Sequence, residues 1–212
     1  MRSVRVALVA GFTLLGVALL LTLLGSPMTV AATNKAPAGE APIGSTSSGA
    51  TYCQARETLP DRTTAIRIWL DAAAGPRVRA VVYFGGRAIA GGTRGSDWIG
   101  GSVTIPVKPL ARTVSATTVC VSFQLRDETI VIQGMPSAAA VAAHDGRRPL
   151  AGRMAIEYLR PGTRSWLSLA REVARRMGLG RAPAGTWIVL LALALFGTAV
   201  TLASRLLLQE RL

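Results

Sequence analysis

The chain has 212 residues, half of them hydrophobic, and a formal net charge of +13. Once apolar end segments are set aside, that length leaves room for one domain of ordinary size. The charge divides as +2 before residue 6, +6 over 33–163, +4 over 164–181 and +1 beyond, so no dense basic tract marks a nucleic-acid partner.

Residues 6–24 are uncharged and apolar, and Arg2 and Arg5 precede them. Two cations before such a run define an N-terminus that stays cytoplasmic. Nineteen residues approach the ~20 that a helix needs to cross a bilayer core, and exceed the ~7–15 of a cleaved signal's apolar stretch. Against this, Gly25, Ser26 and Pro27 break a helix, and Val30, Ala31 and Ala32 offer small residues to signal peptidase. Residues 1–32 therefore read as a retained signal-anchor helix or as a signal peptide; either exports the middle of the chain. Residues 33–49, rich in Pro, Gly, Ser and Thr, read as a flexible linker with an r.m.s. reach of about 23 Å.

Residues 50–162 read as the main domain, mainly β. Strict alternation over 64–70 places Ile66, Ile68 and Leu70 on one face and Arg67 and Trp69 on the other. After Gly75 and Pro76 the alternation resumes with Val78, Ala80, Val82 and Phe84, which predicts an antiparallel hairpin between the two runs. Further strands are predicted over 87–90, 102–107, 118–125, 129–133 and 153–159. About seven short strands at this spacing favour an extracytoplasmic antiparallel β-sandwich, flanked by N-terminal and C-terminal transmembrane helices. The Ala-rich run 136–143, opened by Pro136 and closed by Gly146, predicts a short connecting helix.

Cys53 and Cys120 are the only cysteines, and both lie between the apolar ends. Export predicts a disulfide that ties the start of the domain to a central strand; the alternative is two buried thiols in a cytoplasmic domain. Neither cysteine has Cys-x-x-Cys or zinc-ligand spacing. His144, the one histidine, stands beside Asp145 and has no nucleophile motif to serve. Glycines at 85–86, 91–92, 95 and 100–101 lack phosphate-loop spacing and read as turns and bulges. The carboxylates are dispersed, so no enzyme, cofactor or metal is expected.

One polar group stands out. Arg94, Asp97 and Trp98 combine a cation, a carboxylate and an indole in one loop, and Trp69 supplies a second aromatic from the outward face of its strand. Together they form a candidate glycan-binding site. The competing reading packs Trp98 into the core and uses Asp97 to close a turn.

Residues 163–181 read as a basic amphipathic helix at the membrane interface. Trp166, Leu169, Val173 and Met177 share one face, and Arg164, Arg171 and Arg175 lie opposite, toward anionic headgroups. Trp187 then opens a second apolar run at aromatic-belt depth, with a transmembrane helix over 182–208 and a cytoplasmic tail over 209–212. The four arginines over 171–181 oppose this orientation under the positive-inside rule, but long translocated domains largely escape it. These features predict a non-catalytic interaction or accessory protein of the cell envelope in the plasma membrane, with its main domain outside. Expected partners are the bilayer and a membrane protein or envelope glycan. A glycan-binding module is the alternative, and an enzyme acting on envelope polymers is more remote.

Overall fold

In a computed structural model of the protein, residues 2–36, 41–46, 49–124, 129–146, 148–174 and 197–198 are described. The chain divides into two compact units: Met28–Pro161, and Met1–Pro27 with Gly162–Leu212.

The first unit is mainly β. Its strands are β1 (Met28–Thr33), β2 (Ala41–Thr46), β3 (Thr51–Leu59), β4 (Ala65–Asp71), β5 (Val78–Phe84), β6 (Arg87–Arg94) and β7 (Gly101–Pro106). After these come β8 (Val114–Phe123), β9 (Ile130–Pro136), β10 (His144–Asp145), β11 (Arg148–Pro149), β12 (Gly152–Met154) and β13 (Ile156–Pro161). They form two antiparallel sheets. One runs β1-β13-β4-β9-β12, with β2 on β9 and β7 on β4; the other runs β11-β10-β3-β8-β5-β6.

Alternation dictates the core. Ile66, Ile68 and Leu70 of β4, Val78, Ala80 and Val82 of β5, and Val119, Val121 and Phe123 of β8 are all buried in one hydrophobic cluster with Ile132 and Ile156. Full burial of each large aliphatic side chain contributes roughly 1.5–3 kcal/mol. Cys53 lies directly opposite Cys120 in the β3–β8 ladder, and the two form the expected disulfide.

Four expectations require correction. The first concerns β4 and β5, which belong to different sheets and form no hairpin. Residues between them are drawn off instead: Gly75 donates to the Trp98 carbonyl at 2.8 Å, and Asp97 N–H donates to the Gly75 carbonyl at 2.8 Å. Secondly, the segment expected to be a flexible linker contains the end of β1 and all of β2, with Asn34, Ala36, Ile43 and Thr46 buried. Small and polar residues conceal these edge pairings, because their contribution to the ladder comes from the backbone. Thirdly, residues 137–143 form turns rather than a helix. Their donors serve neighbouring strands: Ser137 N–H reaches the Ala151 carbonyl and Ala143 N–H reaches that of Gly152. Lastly, Cys53 lies inside a nine-residue strand rather than before the first one.

In the second unit, α1 (Arg2–Leu24) is a 23-residue helix. Gly25 ends it, its N–H reaching the carbonyls of Leu21 and Thr22 at 3.0 and 3.2 Å. The helix α2 (Trp166–Ala174) begins after Ser165, whose hydroxyl caps the Ser168 N–H at 3.2 Å. Trp166 N–H donates to the Gly25 carbonyl and Gly162 N–H to that of Pro27.

The side chains of α1 are described from Ala10 onward, and among the described residues no helix is long and apolar enough to cross a membrane. Arg175, Met177, Trp187, the span 182–208 apart from the helical Gly197 and Thr198, and the tail 209–212 lie outside the described residues.

Candidate functional site

The loop of Arg94, Asp97 and Trp98 serves the fold. Trp98 is only 6% exposed, its ring lies where a Cβ on Gly75 would collide with it, and its Nε1 donates to the Pro76 carbonyl at 2.7 Å. Asp97 sits at φ 68°, a left-handed conformation that Asp tolerates in turns, and accepts a 2.7 Å hydrogen bond from the Ser96 hydroxyl. Arg94 is exposed at the end of β6, opposite Val78, while Trp69 is half-buried in the other sheet, opposite Ser102. A buried indole offers no face on which a sugar can stack, and the two tryptophans form no common platform.

His144 is half-buried, facing Cys53 across one ladder and Pro149 across another. Among the described residues no cluster of His, Cys, Asp and Glu is suited to a metal ion.

A second group is buried and polar. Continued alternation from Tyr52 and Gln54 would direct Arg56 inward, but Arg56 adopts φ 61° at a bulge in β3, so Glu57 and Leu59 point inward instead. Ala116, at φ 55°, forms the compensating bulge in β8. Glu57, 2% exposed, receives hydrogen bonds from Arg153 Nη2 at 2.8 Å, the Tyr158 hydroxyl at 3.1 Å and Asn34 Nδ2 at 3.3 Å. Asn34 extends the network, donating to the Met154 carbonyl at 2.7 Å and accepting from Ile156 N–H at 3.2 Å. The cluster joins β3, β12, β13 and the segment after β1 at one point.

Burial, reinforced by the Glu57 carboxylate, pushes the Tyr158 hydroxyl well above the ordinary phenol value, although Arg153 opposes the shift. The folded state thus keeps a proton that the unfolded chain releases near pH ~10. Stability from this source is fully present below that pH and declines as pH rises beyond it. Tyr158→Phe should lower stability at neutral pH, by removing a donor to Glu57, and flatten the alkaline decline. Urea midpoints from about pH 8 to about pH 11 check this, and parallel curves for both proteins would contradict it.

The third feature lies on the outward face of the six-stranded sheet. A cradle of about 780 Å³ is lined by Arg77, Arg79, Val81, Gly91, Thr93 and Lys108, together with Ser122 and Gln124. Register explains its shape. Arg79 lies opposite Thr93 on one side and Ser122 on the other; one rung along, Val81 lies between Gly91 and Cys120. Gly91 contributes no side chain, so the floor remains low beside the cations. Among the described residues no carboxylate lines this cradle. A more apolar hollow of about 610 Å³, formed by Phe84, Ile89, Leu110, Arg112 and Val114, adjoins it through Ile89.

Compared with known proteins, the chain matches no family model and no curated sequence. Sequence reasoning misses both the Glu57 network and the cradle. The outward period-two placement of Arg77 and Arg79 is the one available signal for the cradle, whereas Lys108 arrives from a separate connection after β7. Glu57 carries no signal, because alternation alone directs Arg56 inward.

Proposed function

We propose that the protein is a membrane-anchored, non-catalytic interaction or accessory protein of the cell envelope. Its β-unit stands on the extracytoplasmic side and its N-terminal helix is retained. The observation that carries this reading is the course of the chain after α1. Only three residues separate α1 from β1, and β1 pairs along β13 from Met28↔Pro161 to Thr33↔Glu157. Cleavage after Ala32 would remove most of β1 and leave Asn34, with its contacts to Glu57, Met154 and Ile156, one residue from a free end.

Three further features support the reading. From Phe12 to Leu24, eight large apolar side chains of α1 are exposed, and their positions lie all round the helix axis. In water each forgoes about half of the roughly 1.5–3 kcal/mol that full burial contributes, so a lipid surround suits them. The disulfide accords with an oxidising compartment. On α2, exposed Trp166, Leu167 and Val173, with half-buried Leu169, give an apolar side, and exposed Arg164 stands two residues before the helix. Such a helix fits an anionic bilayer interface.

Intact-mass and N-terminal analysis of the protein from membranes tests this. The expected result is a mature chain that retains residues 2–32, stays with the membrane after alkaline carbonate washing, and loses its β-unit to protease added outside. A mature N-terminus at Thr33 would overturn the retained anchor, and protection of the β-unit from external protease would overturn the topology.

A further inference from the structure

We propose that the six-stranded sheet binds an anionic lipid around its β6 edge, with the headgroup in the Arg77, Arg79 and Lys108 cradle on the outward face and the acyl portion in the adjoining hollow of Phe84, Ile89 and Leu110 at the end of the strands. The site rests on the membrane-anchored role proposed for the protein, and it gives that role a ligand class.

The cradle is built for a phosphate. Arg79 of β5 and Arg77, just before that strand begins, both line the cradle, and Lys108 approaches from beyond β7. Guanidinium groups bind phosphate oxygens through paired N–H donors, and Lys108 adds a point charge. Arg79 has a hydroxyl residue on each side, Thr93 and Ser122, which can complete an oxygen cage. The absence of side-chain bulk at Gly91 leaves space above Val81 for the group so held.

The neighbouring hollow selects the kind of anion. Phe84, 49% exposed, stands at the rim with half-buried Ile89, Leu110 and Val114, and Ile89 belongs to both depressions. A hydrophilic polyanion would satisfy the cations and leave this apolar surface wet. An acyl chain attached to a phosphate satisfies both depressions, since every methylene taken from water contributes about 0.8 kcal/mol. Charge and apolar surface lie side by side in the order in which a phospholipid presents them.

The test uses full-length protein in a neutral detergent, mixed with equal amounts of phosphatidylglycerol and phosphatidylcholine, with bound lipid counted by native mass spectrometry. Phosphatidylglycerol should be strongly preferred. Combined Arg79→Glu and Lys108→Glu substitution should reduce that preference at least about 30-fold, taking ~1 kcal/mol for each lost cation. Phe84→Asp should weaken retention of phosphatidylglycerol. If the charge-reversed protein melts early, Arg77→Gln with Arg79→Gln replaces it.

Equal retention of the two lipids, or a preference that survives both sets of substitutions, overturns the proposal. Displacement of the lipid by glycerol phosphate or polyglutamate at equal concentration also overturns it, and assigns the cradle to a soluble polyanion or an acidic peptide. Because the lipid is supplied in detergent, this outcome is independent of whether the carbonate and protease experiments uphold the anchor.

Discussion

Arg153→Met will destabilise the β-unit by about 3–5 kcal/mol, the range for removing one partner of a buried ion pair. Glu57 would keep its carboxylate at a 2% exposed position with only the Tyr158 hydroxyl and Asn34 amide left to solvate it. The 2.8 Å contact to Arg153 Nη2 is the shortest of the three and the only charged one. Adding Glu57→Gln to Arg153→Met should recover much of the loss, since the double variant buries no charge. Denaturant midpoints followed by tryptophan fluorescence check both variants. A loss below about 1 kcal/mol in the single variant would show that water reaches Glu57 and that the cluster is not sealed. The pair is better understood as fixing register than as a net source of stability, because Arg153 Nε is buried without a partner. Only the bulged register of β3 places Glu57 within reach of Arg153.

Replacing both cysteines by serine should cost a comparable amount. The bridge closes a loop of 67 residues, for which the chain-entropy relation gives about 4 kcal/mol. Between Cys53 and Cys120 the chain passes through β4 and β7 of one sheet and β5 and β6 of the other, so the bond restricts an unfolded segment with many conformations to lose. The expected observation is a lower denaturation midpoint with a larger m-value, as the unfolded state expands. Membranes prepared with a thiol trap should yield the oxidised form on non-reducing electrophoresis. Two trapped thiols would remove the disulfide's support for export.

Side-chain pattern controls the part of the fold that is legible in the sequence. Six of the seven predicted strands each correspond to an observed one, because residues such as Ile66, Ile68 and Leu70 alternate and the core rewards alternation, whereas the run predicted over 153–159 is divided at Ala155 into β12, which pairs with β9, and β13, which pairs with β4. Two strands escape the pattern, β2 within the expected linker and β1 mostly within the expected signal segment; they carry residues like Ala32, Gly44 and Ser45, and backbone pairing with β13 and β9 holds them instead. Ala138 to Ala143 have high intrinsic helix propensity, yet Ala143 N–H and its carbonyl are committed to Gly152 and Leu150, and the helix is lost to tertiary demand. Sheet membership is equally hidden: nothing in 72–77 indicates that Gly75 will pair with Trp98 rather than turn tightly into β5. The candidate loop divides along the same line. Trp98 and Asp97 are legible as a group because they are adjacent, but whether the indole faces out or in depends on Gly75, more than twenty positions earlier.

The ladder between β1 and β13 has a mechanical meaning. Met28 and Pro161 are paired residues, and they are the first and last of the β-unit, so tension drawing the two chain ends apart acts at that single rung. Because β1 is the terminal strand of its sheet, such a pull peels it from β13 one hydrogen bond after another, as a zipper opens, rather than shearing the whole ladder at once. Six residues downstream, the peeling front reaches Asn34, whose amide bridges Glu57, Met154 and Ile156. That side chain is a stop: force that has undone β1 must next break a cross-linked polar knot before the core itself is exposed.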